Sequence, residues 1–298
     1  MLISEETVRK LVGTQFPEWA DLPVRQVRSA GTVNAIFRIG AGLTARFPLG
    51  DGEAEAVRRE LEQEAYAATL LHGRTRFPTP EPVAIGDPGF GYPLPWSVQT
   101  WLPGTIATDD DPGGSEPFAR DLAELITAMR AVGTDGRTFG GRGRGGVIAT
   151  HEEWVQTCLS RSERLLPVPR LRRLWEAMRD LPRGGDKDVM THGDLMPGNL
   201  LVAGGRLAGV LDTGGFQPAD PALDLTCAWH LLEPGPRAVL RAELGCDDLE
   251  WARGQAWAFE QSLGLVWYYE VSNPVMAAIG RRTLERLLDA PRYERPEI

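Results

Sequence analysis

The apolar-rich stretches Thr32 to Ile39 (TVNAIFRI) and Leu43 to Pro48 (LTARFP), on either side of Gly40-Ala41-Gly42, read as two strands around a turn. A helical period follows. Val57, Leu61, Ala65, Ala68 and Leu71 recur at three- and four-residue spacing and predict a helix over 53–72. Two further strands are predicted over 82–86 and 96–102, before Pro103-Gly104 breaks the chain. The polar, turn-forming stretch TDDDPGGSEP that follows has the composition of a boundary.

Beyond it the helical period dominates. Ser115 is a predicted cap with Pro117 in the first turn, and Phe118, Leu122, Leu125 and Met129 share one face. Leu171, Leu174, Met178 and Leu181 predict a second, short helix, and 223–232, 249–271 and 275–289 predict three more. One hairpin interrupts them: Asn199–Val202 and Leu207–Leu211 flank Gly204-Gly205. The sum is an α+β protein with a strand-rich N-terminal lobe over 1–103 and a larger helical lobe over 104–298.

Composition narrows the setting. With 42% hydrophobic and 24% charged residues in 298, the chain is globular and long enough to bury a core without cross-links. Three scattered cysteines (Cys158, Cys227, Cys246) give no disulfide framework and no zinc spacing. The N-terminal residues lack the pattern of a signal peptide, and no apolar run reaches the roughly 20 residues of a membrane span. A cytoplasmic protein is expected. The net charge of −9 disfavours nucleic acid and favours a cationic small molecule as partner. Lysine is nearly absent, only Lys10 and Lys187, so chemistry that needs a cation falls to arginine.

The segment THGDLMPGNLLVAGGRLAGVLDTGG, residues 191–215, carries the chemistry. Asn199 opens one predicted strand and Asp212 closes its antiparallel partner, so pairing sets them at one end of the hairpin. Two oxygen-bearing side chains there suit Mg²⁺, a hard cation that shares its shell with phosphates. Asp194, upstream in a tight loop, can accept a hydroxyl proton and orient the oxygen for in-line attack. His192, Asp194 and Asn199 form the H-x-D-x-x-x-x-N pattern of kinases, followed by a metal-binding aspartate. Independently, a helical wheel puts Glu64 inside the apolar stripe of the 53–72 helix. A glutamate there calls for a cationic partner, and Arg46 on the LTARFP strand is the natural one.

The stretch HGDLMPGNLL, with GVLDTGG and ADPALDL after it, resembles the aminoglycoside phosphotransferase family. The resemblance runs from about Val27 to about Leu232 and is strongest over 191–225. It implies a bilobal, protein-kinase-like fold and a Mg²⁺-dependent transfer of phosphate from ATP or GTP to a small-molecule hydroxyl. Position by position, it implies that Asp194 is the catalytic aspartate and that Asn199 and Asp212 hold Mg²⁺. It makes His192 the brace of the catalytic loop, and Asp220 and Asp224 anchors around it. It also implies an Arg46–Glu64 ion pair beside the nucleotide, with arginine where kinases carry lysine. Ser29, Gly31 and Thr32 fall in the loop over the phosphates. Thr100, Trp101 and Leu102 fall at the lobe junction, where backbone groups would meet the purine edge. Asp212-Thr213-Gly214 departs from the kinase D-F-G.

The resemblance points to an aminoglycoside or another amine-rich antibiotic as acceptor. Macrolides and metabolites of the choline, homoserine or sugar type are alternatives, as is a nucleotide-binding pseudokinase with a regulatory role. Other features read more plainly. The Gly/Arg run over 137–146 reads as a mobile surface loop rather than an RNA-binding segment. The tryptophans of 251–267 read as core. Glu233, Asp247, Asp248, Glu260 and Glu270 read as solvated surface. His72, His151 and His230 show no partner pattern.

Overall fold

A computed structural model of the chain describes residues 3–27, 33–183, 185, 187–291 and 293. Ser29, Gly31 and Thr32 lie outside the described residues. The chain divides into two compact units, Met1–Gly104 with Gly209–Phe216, and Thr105–Ala208 with Gln217–Ile298.

The first unit is built on a five-stranded antiparallel sheet. Its strands are β1 (Val24–Val27), β2 (Asn34–Ile39), β3 (Leu43–Pro48), β4 (Pro82–Gly86) and β5 (Trp96–Thr100), in spatial order β1-β2-β3-β5-β4. Alternation fixes which side chain faces where. Phe37, Ala45, Phe47, Trp96 and Val98 turn to one face and form the core with Val8, Leu11 and Val12 of α1 (Glu5–Gln15). Phe47 stacks on Trp96 with centroids 4.8 Å apart. Arg46, one residue from Ala45 and Phe47, is thereby sent to the opposite face, opposite Ile36 on β2 and Ser97 on β5. The predicted 53–72 helix is α2 (Ala54–Leu71), which buries Leu61, Ala68 and Leu71.

The second unit is mostly helical. It contains α3 (Glu116–Arg130), α4 (Glu152–Arg161), α5 (Val168–Met178), α6 (Cys227–Leu231), α7 (Pro234–Leu244), α8 (Asp248–Tyr269) and α9 (Pro274–Leu288). Ser115 caps α3 as predicted, its hydroxyl accepting from the Phe118 amide at 3.2 Å. Short strands β7 (Val189–Thr191) and β10 (Gln217–Ala219) pair antiparallel, while β6 (Thr105–Ile106), β8 (Leu200–Ala203) and β9 (Arg206–Val210) form a three-stranded sheet. Of the tryptophans of 251–267, Trp257 is fully buried, in line with a core role, whereas Trp251 and Trp267 are only partly buried. α8 packs on α9 and on the 3₁₀ stretch Pro221–Thr226, so it is buried on most of its circumference. No described helix is long and apolar enough to cross a membrane.

Several expectations are corrected. The segment 223–232 is a 3₁₀ stretch, Pro221–Thr226, followed by the five-residue α6, not one helix. Asn199 ends a 3₁₀ turn before β8, and Asp212 lies beyond β9 with left-handed backbone (φ 57°, ψ 45°), so neither belongs to a strand. α1, α4 and α7 are helices that the pattern of apolar positions does not announce. α1 carries only Val8, Leu11 and Val12 as an apolar stripe, too short a pattern to stand out among polar residues.

Candidate active site

In the second unit the loop after β7 places Asp194. Gly193 takes φ +78°, a backbone that side-chain-bearing residues rarely adopt, and so turns the chain sharply after His192. The buried Asp224 carboxylate holds that turn, accepting from the His192 amide (2.9 Å) and the Gly193 amide (2.8 Å). Burial pushes the Asp224 carboxyl up, against the pull of the His192 ring and these two amides. The His192 ring lies inside the loop, with Nδ1 accepting from the Asp194 amide at 3.3 Å. Asp220 is equally buried. It caps the 3₁₀ turn through the Ala222 amide and pairs with the buried Arg253 of α8 at 3.2 Å.

The Asp194 carboxylate accepts from three side chains. Gln261 Nε2 donates to Oδ1 at 2.6 Å and Arg144 Nη2 to the same oxygen at 3.2 Å. Asn199 Nδ2 donates to Oδ2 at 3.0 Å and to the Asp194 carbonyl at 2.9 Å. Each carboxylate oxygen offers two lone pairs. Oδ1 is therefore filled, while among the described residues Oδ2 keeps one open, on a side chain that is 40% exposed. The Asn199 nitrogen is engaged on Asp194, and its side-chain carbonyl oxygen is the hard donor that remains.

In the first unit the Arg46 guanidinium donates to Asp212 Oδ1 at 2.7 Å, and that ion pair is only partly exposed. This corrects the expected direct Arg46–Glu64 pair. Among the described residues Glu64 makes no ion pair with Arg46, but it lies in its field. Burial pushes the Glu64 carboxyl up, Arg46 pulls it down, and Asp212 and Glu60 push it up again. The wheel argument put Glu64 on the right helix face; it could not foresee that Asp212 would take the closer place. Gly214 explains how the turn comes so near. A Cβ there would meet Glu64 Cβ at 2.8 Å and Cγ at 2.9 Å, so only glycine lets this turn lie against α2. Between α2, β4 and β5 is a cavity of about 190 Å³ bordered by Arg46, Glu64, Ser97, Gln99 and Thr213.

The junction residues are partly engaged. The Thr100 amide donates to the Glu81 carbonyl (2.9 Å) and the Trp101 amide to the Gly42 carbonyl (2.8 Å), which removes two of the three N–H groups expected to face a purine. The Trp101 ring instead carries the Arg38 guanidinium 4.7 Å from its centroid. The Leu102 amide has no partner among the described residues.

Arg144 and Gln261 are the site residues that sequence reading missed. Arg144 lies in the Gly/Arg run expected to be a free surface loop, yet it reaches Asp194, and the Gly145 carbonyl accepts from the Asp220 amide at 2.8 Å. Gln261 had a signal: Glu260-Gln261 interrupts the apolar, tryptophan-rich run of α8, and buried polar groups need partners. Glu260 is itself buried rather than solvated, with Oε1 2.9 Å from His151 Nδ1. His230 is also buried and partnered, by Gln261 and Thr283. The other acids of the group are surface residues in local pairs or caps. Asp247 caps α8 through the Glu250 amide (2.7 Å), and Glu233, Asp248 and Glu270 pair with Arg286, Arg241 and Arg281.

Residues 24–257 match the Phosphotransferase enzyme family. Over 78 residues the chain is 37% identical to an aminoglycoside 3'-phosphotransferase of Escherichia coli, a match covering 25% of this chain and 29% of that relative, well under half its length. The fold is similar to the GDP complex of aminoglycoside 2'-phosphotransferase-IIIa, with a TM-score of 0.70 and 19% identity over 96% of this chain and 99% of that one. It is also similar to a macrolide 2'-phosphotransferase from Brachybacterium faecium, with a TM-score of 0.60 and 20% identity over 97% and 100% of the two chains. Identities this low speak for the fold alone. The family match spans most of the chain and takes in both carboxylate sites, Asp194 with its donors and Asp212 with Arg46: this chain belongs to the Phosphotransferase enzyme family.

Proposed function

We propose that the protein transfers the γ-phosphate of ATP or GTP to a hydroxyl of a small molecule, an aminoglycoside-like antibiotic by preference. One observation carries the reading: Asp194 is fixed by three side-chain donors and keeps one lone pair of Oδ2 open. That lone pair is where an acceptor hydroxyl would bind. As the hydroxyl oxygen bonds to phosphorus, the bond from phosphorus to the bridging oxygen breaks and the nucleoside diphosphate leaves. The hydroxyl proton passes to Asp194, and no covalent enzyme intermediate is needed. Placement and electrostatics would supply the acceleration.

The donor set suits Mg²⁺. Asn199 would offer its carbonyl oxygen and Asp212 the Oδ2 that Arg46 leaves free, both hard ligands. When bound, the ion would neutralise charge on the β,γ-phosphates. Arg46 would fork onto phosphate oxygens, with the Glu64 and Asp212 charges keeping it in place. The Ser29, Gly31 and Thr32 backbone would cover the phosphates, and Thr100, Trp101 and Leu102 would border the base, with the Leu102 amide as the donor still available.

The net charge of −9 supports an amine-rich acceptor. The likeness to a macrolide phosphotransferase keeps a macrolide as the second choice. The test is a phosphorylation screen of aminoglycosides, macrolides and hydroxyl-bearing metabolites with Mg²⁺ and each of ATP and GTP. Transfer to an aminoglycoside that disappears in Asp194→Ala supports the proposal. Nucleotide binding with neither transfer nor hydrolysis would leave a regulatory, catalytically silent protein instead.

A further inference from the structure

We propose that Gln261 is a positioning residue for Asp194, and that a buried hydrogen-bonded chain through His230 and Thr283 sets its orientation. The inference rests on the reading of Asp194 as the base and extends it to residues outside the reacting centre.

α8 is buried around Gln261, and its neighbours Trp257, Ala258, Phe259, Ser262 and Leu263 are almost wholly enclosed. A primary amide in such a place needs partners at both ends. Gln261 has them. Its nitrogen donates to Asp194 Oδ1 at 2.6 Å, and its oxygen lies 3.1 Å from His230 Nε2 on α6. Turned end for end, the amide would set its oxygen against a carboxylate and its nitrogen against the ring. The orientation therefore depends on a proton at His230 Nε2, because an amide oxygen can only accept.

The surroundings of His230 supply that proton. The ring is fully enclosed, and burial pulls it down to about 4, with the nearby cations Arg144, Arg286 and Arg282 adding to the pull and Gln261 opposing it. The imidazole is thus neutral and carries one proton. With Nε2 committed to Gln261, Nδ1 is the bare nitrogen. It faces the Thr283 hydroxyl of α9 at 3.0 Å, and that hydroxyl has one proton for two acceptors, Nδ1 and the Ile279 carbonyl 2.8 Å away one turn back; with Nδ1 bare, the proton goes to the ring. The chain thus runs from the Thr283 hydroxyl of α9 through α6 and α8 to the carboxylate.

Arg144 bonds the same oxygen but does a different job. It is partly exposed, reaches from a glycine-rich loop, and contacts Oδ1 at the longer 3.2 Å. A second cation at the Gln261 position would drain the basicity that Asp194 needs. A neutral donor fixes direction without that effect, and by filling Oδ1 it leaves Oδ2 to the hydroxyl.

The test compares full-length wild type with Gln261→Leu, His230→Phe, the double variant and His230→Gln, by steady-state kinetics and by crystal structures. A hydrogen bond to a charged group supports a kcat loss of about 10- to 100-fold in Gln261→Leu, with both KM values within about twofold. His230→Phe should lower kcat by a smaller factor and add nothing in the Gln261→Leu background, since both act on one contact. His230→Gln, which keeps an N–H toward Gln261, should restore most of the rate. Gln261→Met replaces Gln261→Leu if the latter folds poorly. A Gln261→Leu kcat within twofold of wild type, or multiplying effects in the double variant, overturns the inference. A wild type without transfer activity sinks the assignment of Asp194 as base, and the crystal structures then decide separately. A turned Asp194 carboxylate in Gln261→Leu supports the positioning role, and an unchanged one removes it.

Discussion

Among the described residues, Asp194 in the second unit accepts from three side chains, Gln261, Arg144 and Asn199, whereas Asp212 in the first accepts from Arg46 alone. Both come from one short stretch of sequence, and both are roughly half-exposed. Their backbones also differ. Asp194 follows a glycine that absorbs the left-handed turn, while Asp212 adopts the left-handed conformation itself, which aspartate tolerates better than most residues. The contrast fits the two duties proposed for them. A base would need to aim one lone pair, and Gln261, Arg144 and Asn199 occupy the other sites of Asp194. A metal ligand would need to keep an oxygen free, and Asp212 is held by one cation and by a turn pressed against α2.

The sharpest break in this comparison is Asp194→Ala. It should lower turnover by about 10³-fold or more, within the range of lost general-base catalysis, while nucleotide affinity by calorimetry stays near wild type. Wild-type-like turnover would end the base assignment. Asp212→Ala should also lower turnover, by about 10²- to 10³-fold, but with a changed response to Mg²⁺ concentration, which separates it from Asp194→Ala. Unaltered Mg²⁺ titration in that variant would remove Asp212 as a ligand.

Smaller effects sharpen the picture. Arg46→Ala should raise the nucleotide KM by about tenfold and leave Asp194 chemistry intact, read as an unchanged acceptor KM. Gly214→Ala forces a methyl into Glu64 and should cost about 1–3 kcal/mol in chemical denaturation; a neutral result would mean that α2 yields easily. The last prediction concerns pH. The His230 pKa is depressed in the fold, so its contribution to stability is complete above the unfolded value of about 6.5 and is lost as pH falls toward about 4. Thermal unfolding across that window should show a decline that His230→Gln flattens. Equal slopes in both proteins would mean that other groups carry the acid sensitivity.

Much of this was legible in the residues. The apolar-rich stretches around Gly40-Ala41-Gly42 showed β2 and β3, the α2 stripe showed its buried face, and Ser115 with Pro117 showed the start of α3, because each signal is local. The HGD and DTG segments stood out for the same reason, since their spacing is a property of one short stretch. What failed was long-range. Glu64 lost the closest place on Arg46 to a residue far along the chain, and the junction amides were taken by Glu81 and Gly42.

The chain's own order of residues determined the longer, strongly patterned elements and marked the two carboxylates, because side-chain period and motif spacing act over a few residues. Only the tertiary structure decided which groups hold those carboxylates. Arg144, Gln261, His230 and Thr283 come from a loop and three separate helices, and burial, which creates their need for partners, exists only once those segments have packed.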